Sequence, residues 1–148
     1  MLKRLALCVV AASLALPVLA TSASASPVVL DTVAQDYEFS GIPATLTPRF
    51  YKFNFSNQGQ HMHEMVALRK KDGVKRSWQS LLSLPQEKAL TKVKFIGASF
   101  AKPGKDGKAI KAQYLKQGAY LAIRFVQNGK HAEPHFMKGM MRKFKVVK

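Results

Sequence analysis

Apolar and polar residues alternate along most of this chain with a period of two. In the segment 51–56, Tyr51, Phe53 and Phe55 alternate with polar residues. This period is typical of a strand that buries one face. Further strand-like segments are 28–30, 36–39, 63–70, 108–115, 119–126 and 142–147. Turn-forming Gly, Pro, Asn and Asp residues separate the segments, so the sequence predicts about seven short strands in an all-β sandwich.

One segment departs from this alternation. Between residues 77 and 90, one tryptophan and several leucines occur among polar residues at mixed helical spacing. The pattern predicts a short helical insertion that packs on the sandwich, with Trp78 as a core anchor rather than part of a binding site. The sequence has no internal repeat and no low-complexity linker, which favours a single domain.

The N-terminal segment has the features of a secretory signal. Lys3 and Arg4 precede an apolar run, and small residues follow up to Ala25. The A-x-A-like cleavage site ends at Ala25, with a cut after Ala20 as the alternative. A membrane anchor would need about 20 uninterrupted apolar residues, which no segment supplies. We therefore expect residues 1–25 to be a signal peptide and residues 26–148 to be an extracytoplasmic domain, in the periplasm, the cell envelope or the medium.

Cysteine is confined to this predicted signal peptide, where it occurs once, as Cys8. The predicted mature domain therefore has no disulfide, no thiolate metal ligand and no cysteine nucleophile. Its stability must come from an ordinary apolar core.

The chain is strongly basic, with a formal net charge of +16. Loss of Lys3 and Arg4 with the signal peptide would lower this charge to +14. Such an excess favours acidic partners such as anionic cell-envelope polymers, or merely a solvated surface with weak attraction to them. Nucleic acid is disfavoured as a partner because the basic residues are spread along the chain and no nucleic-acid motif occurs.

Histidine and methionine are concentrated in two short segments. They contain all four histidines and five of the six methionines: His61, Met62, His63 and Met65 in one, and His131, His135, Met137, Met140 and Met141 in the other. Imidazole nitrogen and thioether sulfur together suit copper, and thioether favours the cuprous ion. The competing interpretation is that the histidines lie at the surface or in satisfied buried positions and that the methionines fill the core.

The same two segments resemble the ligand segments of the cupredoxin family. A turn at Asn57-Gln58-Gly59 leads to His63, and the run from His135 to Met140 precedes the last predicted strand. The resemblance extends over nearly the whole mature chain and implies a cupredoxin-like Greek-key β-sandwich of about seven or eight strands. It implies copper as a cofactor, with His63, His135 and Met140 as ligands. Further ligand candidates are His61, Met62, His131 and Met137.

The position of the family's cysteine ligand is occupied by Arg124. In a blue-copper site, the thiolate completes a set of two histidines and a weak axial methionine. A guanidinium cannot replace it, because it is always charged and offers no lone pair. The resemblance therefore implies the fold without blue-copper electron transfer.

Two orientations of Arg124 are open at this point. Pointing inward, its charge would lie near the two histidines, oppose a bound cation and require an acceptor such as Glu64 or Glu133. If Arg124 points to solvent, His63 and the other candidate ligands remain available to bind copper. Such a set of imidazoles and thioethers resembles the cysteine-free copper sites of periplasmic copper chaperones.

Two functions follow from these orientations. The first is an exported protein that binds or carries copper without redox catalysis and exchanges it with a donor or acceptor protein. The second is a metal-free cupredoxin-like module that binds an anionic partner or cell-envelope polymer. An enzyme is disfavoured because no motif marks a serine or aspartate as the partner of a catalytic histidine.

Overall fold

The computed structural model describes residues 25–126 and 135–148, with the backbone alone at His135. These residues form nine strands and two short helices: β1 (Val28–Gln35), β2 (Glu38–Ser40), β3 (Thr45–Leu46), β4 (Arg49–Asn57), β5 (His63–Lys70), α1 (Trp78–Leu82), α2 (Gln86–Leu90), β6 (Val93–Ala101), β7 (Asp106–Leu115), β8 (Gly118–Ile123) and β9 (Met141–Val146). A single 3₁₀ turn spans His135–Lys138.

The strands form two sheets, which confirms the predicted β-sandwich. One sheet has the order β2-β1-β4-β7, and the other has the order β3-β9-β8-β5-β6. Both are mixed sheets, since β1 runs parallel to β4 and β3 runs parallel to β9, whereas the remaining pairs are antiparallel.

Aromatic side chains fill the space between the sheets. The alternation in β4 buries Tyr51, Phe53 and Phe55, as the sequence predicts. From the opposite sheet, Tyr120 stacks on Phe144 with their ring centroids 5.1 Å apart. These rings remove large apolar areas from water and hold the two sheets together.

Two parts of the strand pattern differ from the prediction. Strand β6 was not predicted, because Gly97, Ala98 and Ser99 interrupt its apolar alternation. The segment 36–39 was predicted as a strand, but residues 36 and 37 form a turn, in which Tyr37 has a φ of 72°. This turn moves Asp36 out of the sheet and toward the end of the sandwich.

The predicted helical insertion consists of α1 and α2 on the outer face of the five-stranded sheet. Ser77 caps α1, its side-chain oxygen accepting a hydrogen bond of 3.1 Å from the backbone N–H of Ser80. Trp78 and Leu81 are buried against Leu68 and other outward-facing residues of the sheet. The insertion therefore creates a second apolar cluster. Within the ranges given above, no helix is long and apolar enough to span a membrane.

Candidate functional site

The two predicted ligand segments meet at one end of the sandwich, here called the site pole. Strands β1, β4 and β8 end at this pole, and β5 and β9 begin there, as the pairings Ala34–Asn57 and Ile123–Met141 require. The side chains or backbone groups that form it belong to Asp36, Asn57, Met62, His63, Glu64, Arg124 and Met140.

His63 is fully buried at the first residue of β5. Its Nε2 lies 3.0 Å from a carboxylate oxygen of Asp36 in the turn after β1. Gly59 packs directly over this contact, because a Cβ at residue 59 would lie 2.6 Å from both Nε2 of His63 and Oδ1 of Asp36. The contact therefore requires glycine at this position of the loop.

Burial lowers the pKa of His63 below its ordinary value of 6.5. The hydrogen bond to Asp36 opposes this shift, whereas the positive charge of Arg124 adds to it. The imidazole is accordingly neutral at neutral pH. Since a carboxylate only accepts hydrogen bonds, the proton is on Nε2, and the lone pair is on Nδ1.

Asp36 is ionised in this arrangement. Desolvation raises its pKa, but the hydrogen bonds from His63 and from the backbone N–H of Gln60 outweigh that effect, and the pKa lies below its usual 3.8. The carboxylate is thus the acceptor for both donors.

Arg124 directly follows β8 and is 1% exposed. Its Nη2 donates a hydrogen bond of 2.7 Å to the backbone carbonyl of Met62, and its backbone N–H lies 3.4 Å from the carbonyl oxygen of Met140. Burial lowers the pKa of Arg124, and the charges of Glu64 and Asp36 oppose this. The guanidinium therefore points into the site pole.

Glu64 contributes a different connection across the pole. One of its carboxylate oxygens accepts hydrogen bonds of 2.7 Å from the backbone N–H groups of both Phe125 and Val126. The carboxylate holds the segment that follows Arg124. It does so in the same way that a carboxylate accepts hydrogen bonds from unpaired backbone N–H groups at the start of a helix. Glu133, the other acceptor predicted for Arg124, lies outside the described residues.

The loop before His63 is fixed by Asn57. Its amide nitrogen donates to the carbonyl oxygens of His61 at 2.7 Å and Ala101 at 2.9 Å, and its side-chain oxygen accepts from the backbone N–H of Gly59 at 2.9 Å. A fully buried amide thereby connects β4, β6 and the loop.

The predicted ligand residues occupy different environments. His63 and Met140 are buried at the pole, whereas the side chains of His61, Met62 and Met137 are exposed. Met65 lies in the core between the sheets, and Met141 packs against the helical insertion. His135 begins the 3₁₀ turn that leads to Met140. His131 lies outside the described residues.

Sequence reasoning missed Asp36 as part of this site. The residue was assigned to a strand, and its partner is 27 positions away, at His63. The sequence does contain one indication of the turn: Asp36 is an acidic residue directly after an apolar strand, and aspartate is common in turns.

Searches against protein-family models and against curated proteins give no match. Solved structures with a similar fold include auracyanin A, a "blue" copper protein from Chloroflexus aurantiacus. It is 17% identical with a TM-score of 0.52, over 82% of this chain and 100% of that chain. Auracyanin B is 16% identical with a TM-score of 0.51, over 84% and 92% of the two chains. Auracyanin from Roseiflexus castenholzii is 14% identical with a TM-score of 0.51, over 84% and 100%.

This chain has a cupredoxin-like fold. The resemblance seen in the sequence is therefore confirmed at the level of the fold. Identities of 14–17% carry no information about which ligand the chain binds.

The residues of this cupredoxin-like pole do not fit a blue-copper centre. A blue-copper centre needs a thiolate ligand, and the described residues include no cysteine. The cation buried at this pole, Arg124, offers no lone pair to a metal. Among the described residues, no group of three His, Cys, Asp or Glu side chains is arranged to hold a metal ion. Hydrogen bonds of Arg124, Asp36 and Glu64 connect the chain segments that meet at this pole.

Proposed function

We propose that this chain is an exported, non-enzymatic cupredoxin-like binding domain in which Arg124 and its acceptors hold the site pole together in place of a metal centre. The observation that carries the proposal is the buried guanidinium of Arg124, bonded to the carbonyl of Met62. A buried guanidinium that donates such a bond is a structural element, because its removal leaves a buried acceptor without its donor.

The electrostatics of the pole support this proposal. Arg124 is close enough to His63 to lower the pKa of the imidazole, so the same positive charge opposes a cation bound to that imidazole. Asp36 already accepts the Nε2 hydrogen of His63, which fixes the ring without a metal.

An anionic macromolecule, such as an acidic cell-envelope polymer, is the partner that the charge of the domain favours. The predicted mature chain carries +14, and exposed lysines occur on both sheets, including Lys108 and Lys111 in β7 and Lys145 in β9. Basic surfaces of this kind attract polyanions over distances of about 10 Å at moderate salt.

The test of the partner is retention of the purified mature domain on immobilised teichoic acid at increasing salt. We expect elution to require more salt than a neutral cupredoxin needs, with an affinity that falls steeply as salt rises. Elution in the void volume at low salt would contradict the proposal.

A second candidate function is copper binding through a His/Met site. The observation that favours it is the burial of both His63 and Met140 at the same pole. His135 and the exposed Met62 and Met137 would supply further ligands. Under this alternative the partner is a copper donor or acceptor protein.

Titration with cuprous and cupric ions separates the two functions. The metal-free proposal predicts only weak binding, unchanged in a His63→Ala, His135→Ala double variant. Tight stoichiometric binding that the double variant abolishes would overturn it in favour of the copper function.

A further inference from the structure

A groove of about 570 Å³ lies between the helical insertion and the outer face of the five-stranded sheet, away from the interior of the site pole. Its volume is within the range of small-molecule sites, about 300–1,000 Å³. The residues that line it are almost all apolar, and the principal ones are Val66, Leu68, Trp78, Leu81, Phe95 and Phe136.

The groove is open to solvent along part of its length. Three of its lining residues, Leu90, Phe95 and Phe125, are 56%, 61% and 41% exposed. Phe125 packs edge-to-face on Phe136, with ring centroids 5.9 Å apart, at the end nearest the site pole. Exposed apolar side chains concentrated in one concave place are typical of a binding surface.

The opposite end of the same sheet face is cationic. In β9, Lys143 pairs with Leu121 and Lys145 pairs with Ala119, so both lysines are exposed on the outer face that carries the groove. Lys70 extends from β5 over the ring of Trp78, with its Nζ 5.2 Å from the ring centroid. Lys70 therefore continues, on the same face of β5, the line of Val66 and Leu68 that forms part of the groove. Lys143 and Lys145 lie two strands away from it, on β9.

These lysines are crowded. Burial lowers the pKa of Lys70, and the charges of Lys143 and Lys145 lower it further. Among the described residues, the ion pairs found involve none of these three lysines. An anion placed beside them would relieve this like-charge repulsion.

We propose that the groove binds a small amphipathic anion, such as a long-chain carboxylate, with its apolar part against Trp78 and Phe95 and its acidic head beside Lys70, attracted also by Lys143 and Lys145. The lining supplies apolar burial, and the lysines supply charge complementarity at one end. This inference is independent of what holds the site pole together.

Trp78 provides a direct readout, because it is the only tryptophan in the chain and lines the groove. The experiment titrates the mature protein with dodecanoate below its micellar concentration and follows tryptophan fluorescence. Dodecyltrimethylammonium, which has the same chain and the opposite charge, is the control ligand. We expect a saturable change with dodecanoate and a much weaker response to the cation.

Two charge-reversal variants complete the test. Lys143→Glu with Lys145→Glu should weaken dodecanoate binding by about tenfold or more, because two attractive charges become repulsive. Lys108→Glu with Lys111→Glu, on the other sheet, makes the same change in net charge and should leave the affinity unchanged. The proposal would be overturned if both double variants weakened dodecanoate binding equally, or if the protein responded equally to both ligands. It would also be overturned if dodecanoate gave no saturable response. A response only to an acidic peptide or polymer would also overturn it.

Discussion

The Nη2 of Arg124 donates a hydrogen bond of 2.7 Å to the backbone carbonyl of Met62, in the residue just before the buried His63. The bond joins the end of β8 to the start of β5 across the site pole. If His63 and residue 124 were ligand positions, as the resemblance to cupredoxins implies, a copper ion would join the same two chain segments. We infer that the hydrogen bond replaces such a metal link.

Removing the guanidinium should destabilise the fold. Arg124→Ala leaves the carbonyl of Met62 without this donor and removes the positive charge beside Asp36 and Glu64. We expect a loss of about 2–4 kcal/mol and a fall in Tm of about 5 °C or more, measured by circular dichroism. Arg124→Lys keeps the charge without the planar group and should give an intermediate loss. An unchanged Tm in Arg124→Ala would contradict the proposed role.

Glu64 should control the mobility of the segment after β8. In Glu64→Ala, the backbone N–H groups of Phe125 and Val126 lose their acceptor, so their amide hydrogen exchange should become faster by at least about tenfold. Glu64→Gln retains one acceptor oxygen and should have a smaller effect. Exchange rates at both amides equal to those of the wild type would show that the contact does not hold the segment.

The stability of the fold should depend on pH through the protonation of His63. Its folded-state pKa is lowered below 6.5, so the unfolded chain binds a proton at a higher pH than the folded chain does. Stability should therefore fall as the pH is lowered from about 7 through 6.5 toward the folded pKa. Asp36 acts in a separate window, because its stabilising charge is lost only when the pH falls below 3.8.

The measurement is Tm as a function of pH between 7 and 5. In His63→Gln, the side-chain amide can still donate to Asp36 but does not titrate, so we expect a flatter profile. If the variant and the wild type lost the same Tm over this interval, His63 would not be the titrating group.

Gly59 should be intolerant of any side chain. A Cβ there would lie 2.6 Å from atoms of both His63 and Asp36, so Gly59→Ala must displace one of them. We expect a loss of about 1–3 kcal/mol in the free energy of unfolding and a change in the NMR resonance of the Nε2 proton of His63. Wild-type stability with an unshifted resonance would show that the loop accommodates the methyl group elsewhere.

The fold could be predicted from the sequence to a large extent, because burial of one strand face imposes a period of two. Tyr51, Phe53 and Phe55 carry that signal and are all buried in β4. Strand β6 escaped prediction because its middle residues are small and its outward-facing Phe95 is exposed. The helical insertion was predicted because Trp78 and the leucines break the alternation.

The sequence could predict only those residues of the site whose positions follow from the local pattern of strands and turns. The sequence placed His63 and Met140 near the ends of strands, but it left open whether Arg124 points inward or to solvent, and the structure shows the inward orientation. The contact between Asp36 and His63 depends on a turn at Tyr37 and on strand pairing across 27 positions, which no local pattern contains. The carbonyl acceptor of Arg124 was likewise unpredictable, since every residue has one.

We propose that the side chain of residue 124 lies where a cupredoxin has a copper ligand. The most direct test is visible absorption after adding cupric ion to Arg124→Cys, with the wild type and Arg124→Leu as controls. The account predicts an intense thiolate-to-copper band in Arg124→Cys alone, with His63, His135 and Met140 completing the site. A folded Arg124→Cys that remains colourless in the presence of cupric ion would contradict it.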